Sequence, residues 1–203
     1  MDLSFPVNGL VLAGGKSVRM GTDKGAMQWH GKEQRYHMAD LLTGLCKEVF
    51  ISCRPGQAET IDVRYQTLTD QATVSGPMAG IITALERVPH AAWLVTACDL
   101  PLLDLSTLQY LLAHRNPASI ATTFESPHDG LPEPLITIWE PAALPVLKSF
   151  AARGVGCPRK VLLNSETTVL MPPRPDALLN ANTPQDAARV QQILHEKPAS
   201  YAG

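Results

Sequence analysis

The sequence predicts an α/β fold, an open and mostly parallel β-sheet covered by helices on both faces. Three observations predict it. Short apolar runs alternate with helical segments along the chain of 203 residues. The first run, Asn8 to Leu12, stops at Ala-Gly-Gly, and a strand that ends at glycines is the usual opening of a nucleotide-binding α/β domain. The run Ala92 to Ala97 is apolar on both faces, as a central parallel strand should be.

The elements follow in order. Asn8 to Leu12 reads as the first strand. Residues 34 to 47 read as a helix, with Tyr36, Leu41, Leu42 and Leu45 on one side. Glu48 to Cys53 and Val63 to Leu68 read as the next two strands, the latter ending at Thr69-Asp70. Gly76-Pro77 opens a helix to about Val88, with proline at the favoured first turn. The strand Ala92 to Ala97 ends at Cys98-Asp99-Leu100-Pro101. Leu105 to His114 reads as a helix, Ser119 to Phe124 and Leu135 to Trp139 as strands, and about Pro141 to Arg153 as a helix. A short helix at Val161 to Asn164, a strand at Thr168 to Met171 and a final helix from Thr183 to His195 complete the chain. Thr183 is the N-cap of that helix and Pro184 its first residue. Ligands of such sheets bind outside the carboxyl ends of the strands, so glycines and acids there are the candidate functional residues.

Composition narrows the class. With 17 Lys+Arg against 19 Asp+Glu the net charge is −2, which gives no general hold on nucleic acid or an anionic membrane. Apolar residues at 45% suffice for a sizeable core, and the length suits one domain over residues 1–203. No run of 18 apolar residues suggests a membrane span, and Met1-Asp2-Leu3-Ser4 lacks a basic secretory n-region, so the expected location is the cytoplasm. Cys46, Cys53, Cys98 and Cys157 have no metal-ligand spacing and are expected as buried, reduced thiols. The histidines show no ligand spacing either. Trp29, Trp93 and Trp139 are expected in the core or at a subunit contact rather than as a stacking platform.

The strongest chemical feature is Leu12 to Gly25, LAGGKSVRMGTDKG. Four glycines, two lysines and an arginine lie within fourteen residues, directly after a strand. Glycines let backbone amides turn toward an anion, and Arg and Lys add fixed charge against a polyphosphate. The string is neither a P-loop nor a dinucleotide fingerprint. A solvated glycine-rich loop is the alternative. Asp99 ends an apolar strand, where a carboxylate is costly unless it binds something, and an oxygen ligand of this kind suits Mg²⁺ together with substrate phosphates. A turn or helix-cap residue is the alternative there.

The string LAGGKSVRMGTDKG resembles the signature of nucleotidyltransferases with the Rossmann-like, three-layer nucleotide-diphosphosugar transferase fold. Within that group the chain is most similar to the molybdenum cofactor guanylyltransferases. Gly76-Pro77-Met78-Ala79-Gly80, Cys98-Asp99-Leu100-Pro101 and Asn180-Ala181-Asn182-Thr183-Pro184 support the match in the same order. The resemblance spans about residues 7 to 195. It implies a reaction in which a terminal phosphate of molybdopterin attacks the α-phosphorus of GTP and pyrophosphate leaves.

The resemblance also implies roles. Residues 1–104 form the nucleotide-binding half and 105–197 the acceptor-binding half. Leu12, Ala13 and Gly14 meet guanine and ribose through backbone groups. Gly15, Arg19 and Gly21 shape the loop around the triphosphate, and Lys24 neutralises charge on the α-phosphate. Asp99 holds Mg²⁺. Asp70 is a ribose- or base-side acid, and Gly76 and Gly80 frame a helix whose positive end faces the nucleotide. Arg159, Lys160, Asn180 and Asn182 are the implied contacts to molybdopterin. Molybdoenzymes or other cofactor-assembly proteins are the implied partners. The Gly14-Gly15 pair favours GTP over CTP.

The chain departs from the family pattern at two places. Ser52-Cys53-Arg54 stands where an asparagine near the base is expected, and Gly130-Leu131-Pro132-Glu133-Pro134 where many members have a His-Pro step. An acid at 133 should repel a phosphate unless it meets a metal or an N–H group, such as those of a pterin ring. Two other readings stay open: a nucleotidyltransferase using CTP or another phosphorylated acceptor, and a non-catalytic carrier of nucleotide or cofactor.

Overall fold

The computed structural model describes residues 6–14, 24–71 and 74–196, with Lys24 placed by its backbone alone. Seven strands form one sheet in the order β3-β2-β1-β4-β6-β5-β7. They are β1 (Val7–Leu12), β2 (Val49–Cys53), β3 (Gln66–Thr69), β4 (Ala92–Ala97), β5 (Ala121–Glu125), β6 (Pro132–Trp139) and β7 (Thr167–Leu170). The helices are α1 (Gln34–Thr43), α2 (Pro77–Arg87), α3 (Leu105–Ala113), α4 (Ala143–Ala152), α5 (Pro158–Leu163) and α6 (Pro184–Glu196). Every neighbouring pair is parallel except β4–β6 and β5–β6, so β6 alone runs against the rest.

Successive residues of the central strands point to opposite layers, which is why they read as continuous apolar runs. Val11, Leu94 and Ile138 join one core with Met38 and Leu42 of α1 and Leu108 and Leu111 of α3. Leu10, Trp93, Val95 and Trp139 join the other with Ile81 and Leu85 of α2, Leu147 of α4 and Val161 of α5. Trp93 and Trp139 are register partners and fully buried, as core tryptophans. A third, smaller cluster gathers Leu102, Ala181 and Val190, with Trp29 packed against it.

Several boundaries differ from the sequence reading for local reasons. α1 stops at Thr43 rather than at 47, where Gly44 caps it and donates to the Leu42 carbonyl. β3 starts at Gln66 rather than Val63, because Asp62 accepts from both the backbone N–H and the guanidinium of Arg64 and closes a turn. Val63 at the tip of that turn is 97% exposed. β6 begins at Pro132, before the expected Leu135, beside a bulge in β5 between Thr123 and Glu125, where a residue without an N–H is tolerated. α5 begins at Pro158, before the expected Val161, and so carries Arg159 and Lys160. Of the cysteines, Cys53 and Cys98 are buried, but Cys46 is half-buried and Cys157 exposed, against the expectation of four buried thiols.

The chain order reverses between β1 and β4, since β2 and β3 lie on one side of β1 and β4 on the other. Leu12 is registered against Ala97, so Ala13-Gly14 and Cys98-Asp99 leave the sheet side by side at this switch point.

Candidate functional site

The carboxyl ends of β1, β2 and β3 close on one another through polar contacts. The Ala13 amide donates to the Ser52 carbonyl at 3.0 Å, and the Ala13 carbonyl accepts from Gln57 Nε2 at 3.2 Å. Ser52 Oγ donates to Asp70 Oδ1 at 2.6 Å. Two glycines make room for this group. A Cβ on Gly14 would lie 3.4 Å from Asp70 Oδ2. A Cβ on Gly80, in α2, would lie 2.6 Å from Ser52 Oγ, 2.8 Å from Leu12 Cδ2 and 3.3 Å from Asp70 Oδ1. Leu12, Ala13, Gly14, Asp70 and Gly80 are therefore brought together. Ser52, noted in the sequence only as a departure, is their hub. Burial pushes the Asp70 carboxyl above its ordinary pKa, and the Ser52 hydroxyl pulls it back.

Gly76, the N-cap of α2, adopts φ +80° and ψ −162°, a conformation nearly restricted to glycine, and among the described residues no side chain caps the helix there. That leaves the positive end of α2 suited to an anion. A Cβ on Gly156, just before α5, would lie 3.6 Å from the Ser75 carbonyl, so the segment leading into α5 approaches this end of α2.

Asp99 is half-buried in the turn after β4. Its carbonyl accepts from the Ala181 amide at 2.9 Å, which sets Asn180 and Asn182 beside the turn. The helix that follows these asparagines, α6, is capped at Thr183. The cap is a reciprocal pair in which the Asp186 amide donates to Thr183 Oγ1 and Asp186 Oδ2 accepts from the Thr183 and Asn182 amides. Glu133 lies within electrostatic reach of Asp99. Burial pushes the Glu133 carboxyl up, the Leu135 amide and Arg159 pull it down, and Asp99 and Asp129 push it up again. Arg159 donates to Glu133 Oε2 at 3.1 Å and to Asp129 Oδ2 at 2.6 Å. The acid at 133 thus meets an internal cation, which removes the conflict raised in the sequence. Lys160, one residue on, is exposed.

Among the described residues no group of three or more His, Cys, Asp or Glu could hold a metal ion. Asp99 still fits Mg²⁺, which commonly takes one or two protein carboxylates and fills its remaining positions with water and phosphate oxygens. Gly15, Arg19 and Gly21 lie outside the described residues. Lys24 opens a short 3₁₀ turn, Lys24–Ala26.

The rings of His30 and His37 stack at 3.9 Å. Burial lowers the His37 pKa from 6.5 to about 4, helped by His30 and Lys32 and opposed by Asp40. Above pH 6.5 the ring is neutral folded and unfolded. As pH falls toward 4, the unfolded chain binds a proton that the folded ring refuses, so stability declines across that window. His37→Phe should flatten the decline in a series of melts between pH 7 and pH 4.

The family model of the MobA-like NTP transferase domain matches residues 9–168. The chain belongs to this family. A molybdenum cofactor biosynthesis bifunctional protein from Synechocystis is 35% identical over 186 residues, which are 91% of this chain and 54% of that protein. The chain thus spans about half the length of that relative. A molybdenum cofactor guanylyltransferase from Pseudomonas fluorescens is 32% identical over 187 residues, 89% of this chain and 91% of the relative. The crystal structure of molybdopterin-guanine dinucleotide biosynthesis protein A from Archaeoglobus fulgidus has a TM-score of 0.78 at 22% identity, covering 93% of this chain and 99% of its own, and shows that the fold is shared. The matched span of this MobA-like chain ends within β7, so the segment 171–183 and α6 lie beyond it. No helix among the described residues is long and apolar enough to cross a membrane.

Proposed function

We propose that this MobA-like chain moves GMP from GTP to the terminal phosphate of molybdenum-loaded molybdopterin. An acceptor phosphate oxygen forms a bond to the α-phosphorus, the bond from that phosphorus to the bridging oxygen breaks, and pyrophosphate leaves. The observation that carries the reading is the meeting of Leu12, Gly14, Asp70 and Gly80 around Ser52, beside Asp99 at the switch point. The guanylyltransferase relative similar over most of both chains supports the same reaction.

The displacement needs positioning and charge neutralisation more than covalent help. The backbone of Leu12-Ala13-Gly14 holds guanine and ribose, with Asp70 as an acceptor on that side. The Gly76 end of α2, with Gly15, Arg19 and Gly21, binds the triphosphate, and Lys24 meets the α-phosphate. Asp99 would hold Mg²⁺, which when bound neutralises phosphate charge. Arg159, Lys160, Asn180 and Asn182 orient the acceptor. Arg159 enters this role already held by two carboxylates, which fixes its direction and reduces its net pull on a phosphate. Free cysteines fit a reducing cytoplasm, and hand-over to molybdoenzymes or cofactor-assembly proteins follows from the product.

Thermal stability with each nucleoside triphosphate tests the donor site. GTP at about a hundred times its dissociation constant should add roughly 2.7 kcal/mol, and CTP at the same concentration much less. Selective stabilisation by CTP would move the product to a cytosine dinucleotide. No response to any nucleotide would overturn the donor site.

A further inference from the structure

We propose that the hairpin at residues 27–34 is a positioning arm that fixes the Asp99 turn relative to the 3₁₀ turn Lys24–Ala26, with His30 as its principal contact. This inference rests on the functional reading above, since it gives the turn its purpose.

The arm is a built structure. Gln28 and Glu33 form an antiparallel bridge, the Gln34 amide donates to the Met27 carbonyl at 2.8 Å, and Gly31 makes the reversal at φ +75°. It begins one residue after the 3₁₀ turn opened by Lys24 and runs directly into α1.

Its tip grips the residues that follow Asp99. His30 Nε2 lies 2.8 Å from the Pro101 carbonyl, and since a carbonyl only accepts, the ring carries its proton on Nε2. Gln34 Nε2 donates to the Leu100 carbonyl at 3.3 Å. Trp29 packs on the cluster of Leu102, Ala181 and Val190. The Ala181 amide takes the Asp99 carbonyl. Three consecutive carbonyls, 99 to 101, thus each receive a donor from elsewhere in the chain. The strand β4 has ended by then, at Ala97, one residue before the Cys98 amide donates to the Leu12 carbonyl at 3.4 Å. A turn pinned at three successive carbonyls has little freedom to rotate its peptide planes, and the direction of the Asp99 side chain follows from those planes. The stacked His37 ring holds the orientation of His30.

His30 therefore acts through Asp99 and not on substrate. His30→Ala should lower turnover about tenfold while the dissociation constant for GTP without Mg²⁺ stays within twofold. His30→Gln keeps a donor of similar reach and should recover most of the turnover. Amide hydrogen exchange supplies a readout that needs no reaction. In His30→Ala, peptides covering residues 98–104 should exchange faster, with those covering β4 unchanged. Unchanged exchange at 98–104, equal losses of GTP affinity and turnover, or no recovery in His30→Gln would each overturn the arm. Absence of guanylyl transfer by the unmodified protein would instead overturn the function and leave the exchange result standing on its own.

Discussion

Asp99→Ala is expected to lower guanylyl transfer by about a hundredfold or more, while GTP affinity measured without Mg²⁺ changes by no more than about threefold. Loss of one charge-stabilising contact to a transition state commonly costs on the order of 3 kcal/mol, and at about 1.4 kcal/mol per tenfold that is two decades of rate. The side chain is half-buried at the end of a strand whose six residues are all buried, and the turn that carries it is bonded through its backbone. Those backbone bonds survive truncation, so the variant should fold. A carrier has no turnover to lose, and for it the same substitution would register in binding alone. Steady-state rates paired with nucleotide binding by calorimetry separate the two.

Gly80→Ala should abolish most nucleotide binding and reduce stability by roughly 1–3 kcal/mol, the usual range for forcing an extra methyl into a packed site. The added Cβ would sit 2.6 Å from Ser52 Oγ and 2.8 Å from Leu12 Cδ2, inside any real contact distance. To admit it, Ser52 must turn away from Asp70, which breaks their 2.6 Å hydrogen bond and leaves a half-buried carboxylate without that donor. The end of β1, whose backbone is proposed to hold the nucleotide, shifts with Leu12. Ser52→Ala combined with Gly80→Ala should recover part of the stability but not binding, because the Leu12 contact remains. Gly44→Ala is the control. Nothing lies within 4 Å of a Cβ there and φ is −75°, so the change should be neutral or slightly stabilising. Melts and GTP titrations of the three variants check the series.

The sequence exposed the fold because the strands of the centre are buried on both faces and two helices carry proline at their starts, at Pro77 and Pro184. It was weaker where tertiary contacts decide. Neither the antiparallel course of β6 nor the bulge in β5 between Thr123 and Glu125 is announced by any periodicity. The site was legible wherever a glycine or an acid ends a strand, at Gly14, Asp70 and Asp99. Ser52 was visible only as an unexpected residue, since a serine on a strand gives no sign that it will meet an aspartate 18 positions on. Gln57 and His30 were missed as contacts. Their partners are backbone carbonyls of distant turns, and a carbonyl leaves no mark in a sequence. Glu133 looked out of place until Arg159, on a helix that starts three residues earlier than expected, supplied its counter-charge.

The most direct measurement is product analysis after the protein is incubated with Mg²⁺, GTP labelled at the α-phosphorus and molybdenum-loaded molybdopterin. The label should move into a molybdopterin guanine dinucleotide, with one pyrophosphate released per transfer, and Asp99→Ala should form almost none. Label remaining in GTP that is demonstrably bound beside the acceptor, or label transferred only from CTP, would contradict guanylyl transfer as the function of this chain.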